Sequence, residues 1–394
     1  MMDRFPLFRI CFSFVTALLF FLIFTVKADA GETDRKKAAA PPQCTLIPVS
    51  KYPVFKDDLN YEHLAKCIQG SISYYQKLPS LKPVSFGADT FTVSYLIQSL
   101  KRFLAFIEKK PTREKLKAFL DRYYQVYAFT DTGKPVDVLF TGYYEPMLHG
   151  SLTRSPKFNY PVYPKPDDLA ADVPYFSRQQ IEETNVLKGK VSPIAWVDDP
   201  VALFFLHIQG SGKISLESGD TLNVHYQISN NHPYKSIGKY LIDKKRLLKE
   251  NISMQSIREY LNTHPKEIRE VFNYNPRYIF FEKVDSGPVG CFGIELTAAR
   301  SVALDRRITP AGALCFIQTK KPVVGDAQKI QSWTKFSRFV LNQDTGSAIK
   351  GPERADIFWG TGSYAELAAG YMKHPGRLYF LVLKQRKMNT EYAP

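Results

Sequence analysis

Hydrophobic and polar positions repeat with different periods in successive stretches of the chain, and the changes of period mark out its elements. From about Leu59 to Phe129 the pattern is helical. Within it Pro111 opens a segment whose Leu116, Phe119, Leu120, Tyr123 and Tyr127 share one helical face, which predicts an amphipathic helix reaching Tyr127. Short apolar or alternating runs follow at 138–141, 159–162, 194–196, 202–208 and 221–228. Gly, Ser, Asn, Asp and Pro punctuate these runs, which predict strands. Residues 234–273 return to helix, with Tyr240, Leu241, Leu247 and Leu248, then Ile257, Tyr260 and Leu261. A second β-rich block opens at 277–282 and continues through 302–304, 313–318, 337–342, 355–359 and 378–384. Two β-rich blocks separated by helices predict a mainly β, α+β chain of two domains. No internal repeat or heptad runs through it.

The N-terminus has a pattern of its own. Arg4 and Arg9 precede an uncharged stretch of 17 residues, 10–26, which ends in Lys27-Ala28-Asp29-Ala30-Gly31. A basic start, an apolar middle and an A-x-A site predict a secretory signal cleaved after Ala30. An uncleaved membrane anchor is the alternative, because the run reaches the short limit for a span. Either way the body lies outside the cytoplasm. Residues 31–43, charged, small and Pro-ended, read as a tether.

Composition narrows the partner. With 44% hydrophobic and 23% charged residues, the 394-residue chain is not disordered, collagen-like or a polytopic membrane protein. Its net charge is +15, and 14% of its residues are aromatic. Nucleic acid, an anionic membrane and an anionic or carbohydrate polymer would each explain that pair of features. Export removes nucleic acid, and losing residues 1–30 trims the charge only to +14. Of five cysteines, Cys11 falls in the signal, which leaves Cys44, Cys67, Cys291 and Cys315. An oxidising compartment permits disulfides among them in three connectivities. Cys44–Cys67 would tie down the N-terminal arm, and Cys291–Cys315 would bridge two neighbouring strands. No C-x-x-C or Cys/His cluster is present, so neither a zinc site nor a cofactor is expected.

Five constellations carry candidate chemistry. Asp356 enters the apolar strand Ile357-Phe358-Trp359. Desolvation there raises a carboxyl pKa, as a general acid at neutral pH requires, and Gly360 and Gly362 let a chain or ligand approach. The ordinary alternative is an aspartate capping a turn. Asp344, in Asp344-Thr345-Gly346, resembles the aspartic-protease loop but occurs in one copy. It flanks the same loop as Asp356, and its charge would lift that pKa further. Asp305-Arg306-Arg307 reads as a turn with an Asp–Arg pair. Tyr143, Tyr144 and Glu145 suit sugar stacking and hydroxyl binding, whereas Gln209, Gly210, Ser211 and Gly212 offer an amide and an approachable backbone. The alternative for both groups is a tight turn with the Tyr rings in the core. His207, inside Phe204-Phe205-Leu206, reads as a core histidine, and Ser211 does not sit in a G-x-S-x-G elbow.

Taken together, GYYEP at 142–146, HIQGSG at 207–212, LDRRITPAG at 304–312, QDTGSAIKG at 343–351 and RADIFWGTG at 354–362 resemble the membrane-bound lytic murein transglycosylase A family. The resemblance covers roughly 138–384. It implies a double-psi β-barrel with a smaller inserted β-domain, N-terminal helices packed on the barrel, and a glycan groove between the two. It implies non-hydrolytic cleavage of the β-1,4 bond between N-acetylmuramic acid and N-acetylglucosamine in peptidoglycan, giving 1,6-anhydromuramyl ends. The family's three aspartates fall on Asp305, Asp344 and Asp356, with Asp356 as the acid, Asp344 tuning or orienting it, and Asp305 in support. Lys350 and the glycine-loop amides would hold N-acetyl or lactyl carbonyls.

The expected spans are a signal at 1–30, a linker at 31–43, helices of the barrel domain at 44–136, the insert at 137–235, a helical connection at 236–275, the barrel at 276–386 and a tail at 387–394. Peptidoglycan strands, and wall-remodelling complexes that act on them, are the expected partners. The location is the periplasm or outer membrane of a Gram-negative cell. No lipobox cysteine follows the apolar run, so any membrane contact would come through an uncleaved anchor. An inverting hydrolase using Asp356 as acid and Asp344 as base, or a non-catalytic wall-binding protein, are the competing readings.

Overall fold

The computed structural model describes residues 44–385 apart from Thr132, Ser286, Ala327, Gln328 and Ser347. The expected signal, linker and tail lie outside the described residues. Chain order begins with β1 (Thr45–Pro48), α1 (Leu64–Gln76), the hairpin β2 (Pro83–Phe86) and β3 (Asp89–Thr92), α2 (Val93–Ile107), α3 (Arg113–Tyr123), β4 (Tyr124–Asp131) and β5 (Lys134–Pro135). Thr92 caps α2 by accepting from Tyr95 N, and Thr112 caps α3 by accepting from Lys115 N. The helix expected to reach Tyr127 stops at Tyr123. Tyr124, Val126, Tyr127 and Ala128 are buried in β4, where pairing with a neighbouring strand overrides the helical spacing.

Next come β6 (Val138–Glu145), β7 (Met147–Ser151), β8 (Tyr160–Val162), α4 (Arg178–Glu183), β9 (Ala195–Val197), α5 (Pro200–Gln209), β10 (Ser211–Leu216) and β11 (Thr221–Ser229). They are followed by α6 (Ile237–Asp243), α7 (Met254–Thr263), α8 (Ile268–Asn273) and β12 (Ile279–Val284). The run 202–208, expected as a strand, is the helix α5. Asp199 accepts from Val201 N and Ala202 N at 2.7 and 3.1 Å, Pro200 opens the first turn, and Gly210 closes the helix at φ 83°. Val201, Leu203, Phe204, Phe205, Leu206 and His207 are all buried, so the run shows no period by which helix and strand could be told apart.

The last part holds β13 (Ser301–Ala303), β14 (Leu314–Val324), β15 (Ile330–Asp344), β16 (Arg354–Thr361), α9 (Ser363–Tyr371) and β17 (His374–Leu383). Strands β17, β14, β15, β13, β16 and β6 are hydrogen-bonded in that order, and β6 pairs back to β17 through Phe140–His374 and Val138–Gly376. This closed six-stranded ring is parallel at β13–β15 and β6–β16 and antiparallel elsewhere. It forms the double-psi β-barrel, and β1 and β4 extend its sheet beyond β17. The N-terminal helices pack on it through one continuous core. Phe55 stacks on Phe339, and Phe103 meets the same ring at 4.9 Å.

A second sheet, ordered β12-β11-β10-β7-β9-β8, forms the insert, with α5 to α8 burying a separate cluster around Phe204 and Phe272. The two sheets divide the chain differently from the expected spans 137–235 and 276–386. Strand β6 lies in the barrel, and the chain leaves it only at Pro146, whereas β12 pairs with β11 in the insert. All four described cysteines are free thiols, so none of the permitted pairings is formed. Cys67 Sγ donates to Gln343 Oε1 at 3.1 Å, and burial pushes its pKa up to about 12. No helix among the described residues is long and apolar enough to cross a membrane. Nor does any group of three His, Cys, Asp or Glu among them stand where it could hold a metal ion.

Candidate active site

Ala303, on the short strand β13, is the register partner of Asp344 on one side and of Asp356 on the other. Two strand spacings therefore separate the aspartate backbones, about 10 Å. Asp356 is further paired in register with Thr141 of β6, whose Oγ1 donates to Asp356 Oδ1 at 2.8 Å. Burial raises the Asp356 carboxyl to about 6, and the charge of Asp344 adds to the rise. The Thr141 hydrogen bond and the Arg354 guanidinium work against it.

Asp344 is more completely held. Its Oδ2 accepts from Tyr143 OH at 2.8 Å, and its Oδ1 accepts from the backbone N–H of Cys291 (2.9 Å) and of Thr345 (2.8 Å). Burial still raises its pKa, opposed by these three donors and by His225. Asp305 has the opposite environment. Arg307 grips both of its oxygens, at 2.9 Å through Nε and 2.6 Å through Nη2, and Gly351 N donates to Oδ2 at 2.8 Å. Arg307 above all holds this carboxyl well below the usual range. Asp305 thus joins the loop after β13 to the loop before β16, and the expected Asp–Arg pair forms with Arg307.

A cleft of about 550 Å³ opens over these groups between barrel and insert. Asp305, Asp344, Asp356, Tyr143 and Lys350 line it from the barrel, and Gln209, Gly210 and Ser211 from the insert. The Gln209 amide oxygen is already engaged, accepting from Tyr144 N at 3.1 Å.

The other expected site residues lie away from the cleft lining. Tyr144 is 3% exposed, in the core, and Glu145 is buried with Lys213 Nζ at 3.5 Å. A Cβ at Gly212 would come within 2.5 Å of Leu206, so this glycine serves close packing. Gly360, at φ 91°, packs on Ala298, and Gly362 precedes α9. His207, by contrast, reaches the cleft lining, yet it is buried as a core histidine, with Nδ1 against Arg178 Nη2 at 2.9 Å.

Sequence reasoning missed His225, Tyr226, Arg277, Cys291 and Ile208, all on the cleft. Arg306 and Ile208 lie inside the motifs at 304–312 and 207–212, but nothing in the sequence marks Arg306 apart from Arg307 or Ile208 apart from its apolar neighbours. The others sit in ordinary strand or loop sequence and become cleft residues only when the insert folds over the barrel.

Comparison with known proteins gives two family matches, the MltA specific insert domain over residues 139–282 and the 3D domain over residues 300–382. The chain is 36% identical over 248 residues to the membrane-bound lytic murein transglycosylase A of Escherichia coli K12, spanning 62% of this chain and 66% of that one. It is 32% identical over 263 residues to the protein of the same name from Vibrio cholerae, spanning 66% and 69%. Among solved structures, MltA from Neisseria gonorrhoeae in a monoclinic form superposes with a TM-score of 0.64 at 30% identity, covering 88% of this chain and 97% of that one. Escherichia coli MltA with bound chitohexaose superposes with a TM-score of 0.70 at 26% identity, covering 87% and 96%.

Proposed function

This chain belongs to the membrane-bound lytic murein transglycosylase A family, and from that premise we propose that it cleaves the β-1,4 MurNAc–GlcNAc bond of peptidoglycan without water, with Asp356 as the only proton-transferring side chain. One observation carries the reading. Asp356 is a cleft carboxyl held at about 6, with a single side-chain hydrogen bond, from Thr141. Near neutral pH a useful fraction of such a carboxyl is protonated. It donates that proton to the glycosidic oxygen as the bond to the muramyl anomeric carbon breaks. The carboxylate left behind then takes the proton of the muramyl C6 hydroxyl as that oxygen bonds to the same carbon. Asp356 ends the cycle protonated, and the product carries a 1,6-anhydro ring.

Asp344 fits the role of a fixed neighbour better than that of a base. Both of its oxygens already accept hydrogen bonds, three in all, which leaves it poorly placed to activate a water. That geometry weighs against the inverting-hydrolase alternative. Tyr226 and Ile208, each more than a third exposed on the insert wall, supply apolar surface for sugar faces. The chitohexaose bound to the Escherichia coli relative supports an oligosaccharide in this cleft. The proposed setting is the envelope of a Gram-negative cell, with peptidoglycan strands as the partner.

Digestion of purified murein followed by mass spectrometry tests the reaction. Anhydromuramyl ends are expected. Reducing muramic acid ends in their place would sink the proposal, as would unchanged turnover by Asp356→Asn.

A further inference from the structure

The pyranose rings and N-acetyl groups of the proposed substrate carry no charge, yet the cleft is lined by cations that have no carboxylate partner among the described residues. Arg277, Arg306 and Lys350 line it, and none has a carboxylate within 4.0 Å among the described residues. They come from three separate elements. Arg277 stands on the insert wall just before β12, Arg306 on the loop after β13, and Lys350 on the loop after β15. Arg307, the fourth cation of the cleft, is committed to Asp305 at 2.6 Å. Arg277 is steadied through Nη1, which donates to His232 O at 3.4 Å, whereas Arg306 and Lys350 are exposed. The two carboxyls opposite, Asp344 and Asp356, are engaged by Tyr143, Thr141 and the backbone N–H groups of Cys291 and Thr345, and neither pairs with any of these three cations. A cleft with low-dielectric walls focuses such a field on whatever enters it.

Resting on the function proposed above, we infer that Arg277, Arg306 and Lys350 form a carboxylate subsite beside the scission point. Its ligand is the carboxylate of the muramyl substituent, carried either by the lactyl group itself or by the peptide stem attached to it. The cleft then selects substituted strands over neutral glycan, and the selection is electrostatic. Each contact at such an exposed site contributes modestly, and the sum is sensitive to salt.

Binding to the full chain carrying Asp356→Asn, which blocks turnover, tests this with three soluble probes. Chitohexaose carries no carboxylate, amidase-stripped murein strands carry the lactyl carboxylate, and untreated strands carry the peptide stem. At low salt the charged strands are expected to bind about tenfold more tightly than chitohexaose, with the gap closing to about twofold at high salt. A step between chitohexaose and stripped strands assigns the lactyl carboxylate, whereas a step between stripped and untreated strands assigns the stem. Adding Arg277→Gln and Arg306→Gln should erase most of the gap. Adding Lys320→Gln and Lys335→Gln, the same charge removed from the β14–β15 pair, should leave it. Equal binding of all three probes, a gap that survives Arg277→Gln/Arg306→Gln, or one that Lys320→Gln/Lys335→Gln removes equally, overturns the inference. Absence of anhydromuramyl products from the wild-type enzyme would instead defeat the proposed reaction and leave the binding order to be read on its own.

Discussion

Replacing Asp356 by Asn should abolish activity and, at neutral pH only, make the protein more stable. The folded carboxyl ionises near 6, against an ordinary 3.8. At about 1.4 kcal/mol per pH unit, that gap is worth up to ~3 kcal/mol against the ionised folded form. Between those two values the unfolded carboxyl has released its proton and the folded one has kept it. Stability therefore falls as pH rises from 3.8 to 6 and stays reduced above. Asn cannot ionise, and its side-chain oxygen can still accept from Thr141. Asp356 is partly open to the cleft, so we take half to all of that ceiling, about 1.5–3 kcal/mol. With an unfolding entropy of about 2.1 cal/mol/K per residue over roughly 340 residues, the gain corresponds to ~2–4 °C in Tm. Circular-dichroism melts of both proteins at pH 7.5 and pH 4, run beside anhydromuropeptide release, read the two effects together. Activity should drop by about a hundredfold or more. If the Tm gain were the same at both pH values, or absent at pH 7.5, Asp356 would not be held above its ordinary range in the fold.

The same carboxyl sets the pH profile: kcat/KM should fall roughly tenfold per pH unit above about 6, and a plateau through pH 8 would contradict the acid assignment. Thr141→Val removes the hydrogen bond that favours ionised Asp356, so that descending limb should move to higher pH, with a loss of about 1 kcal/mol in stability by denaturant titration; an unmoved limb would show that the bond does not tune the acid. Outside the cleft lining, Arg300 and Asp57 form a fully buried pair at 2.6 Å, and Asp57→Ala would leave the buried guanidinium with no carboxylate, only the Glu62 and Phe339 carbonyls. A loss of about 3–5 kcal/mol is expected, with activity per folded molecule retained; a loss under 1 kcal/mol would show that the guanidinium finds other partners.

The chemistry of the cleft was legible in the sequence where it depends on residue type beside apolar sequence. Asp356 ahead of Ile357-Phe358-Trp359 announced a desolvated carboxyl, and the strand around it has the environment that pattern implies. What depends on tertiary pairing was not legible. Tyr143 and Tyr144 are adjacent and look alike in sequence. Alternation along β6 sends the first toward Asp344 and the second into the core. The helix α5 reads as a strand because its apolar run is buried on nearly every side and shows no clear period, although Asp199-Pro200 before it and Gly210 after it carry the start and stop signals. Strand β12 was assigned to the wrong sheet because sequence order places it next to the barrel strands, whereas its partner, β11, lies fifty residues earlier across three helices. His225 and Tyr226 on that partner strand became cleft residues by the same pairing.

The barrel's two parallel joins explain why three aspartates from distant parts of the chain meet at one end. Because β13 and β15 run in the same direction, their C-terminal ends lie side by side, which brings Asp344 and the Asp305 loop together. Strand β16 runs opposite to β13, so its beginning, with Asp356, falls at that same end. In a purely antiparallel ring of this order, β15 would reach the cleft by its first residues, and Asp344 would stand at the far rim. The direction of one strand thus decides whether Asp344 is near enough to act on Asp356. The residue between them must then be small. Cross-strand partners project from the same face, so a long side chain at Ala303 would fill the cleft where the proposed mechanism brings a glycosidic oxygen to Asp356. On the proposed mechanism, Ala303, an unremarkable residue in an apolar run, matters to the cleft because it stands in register between the two carboxyls.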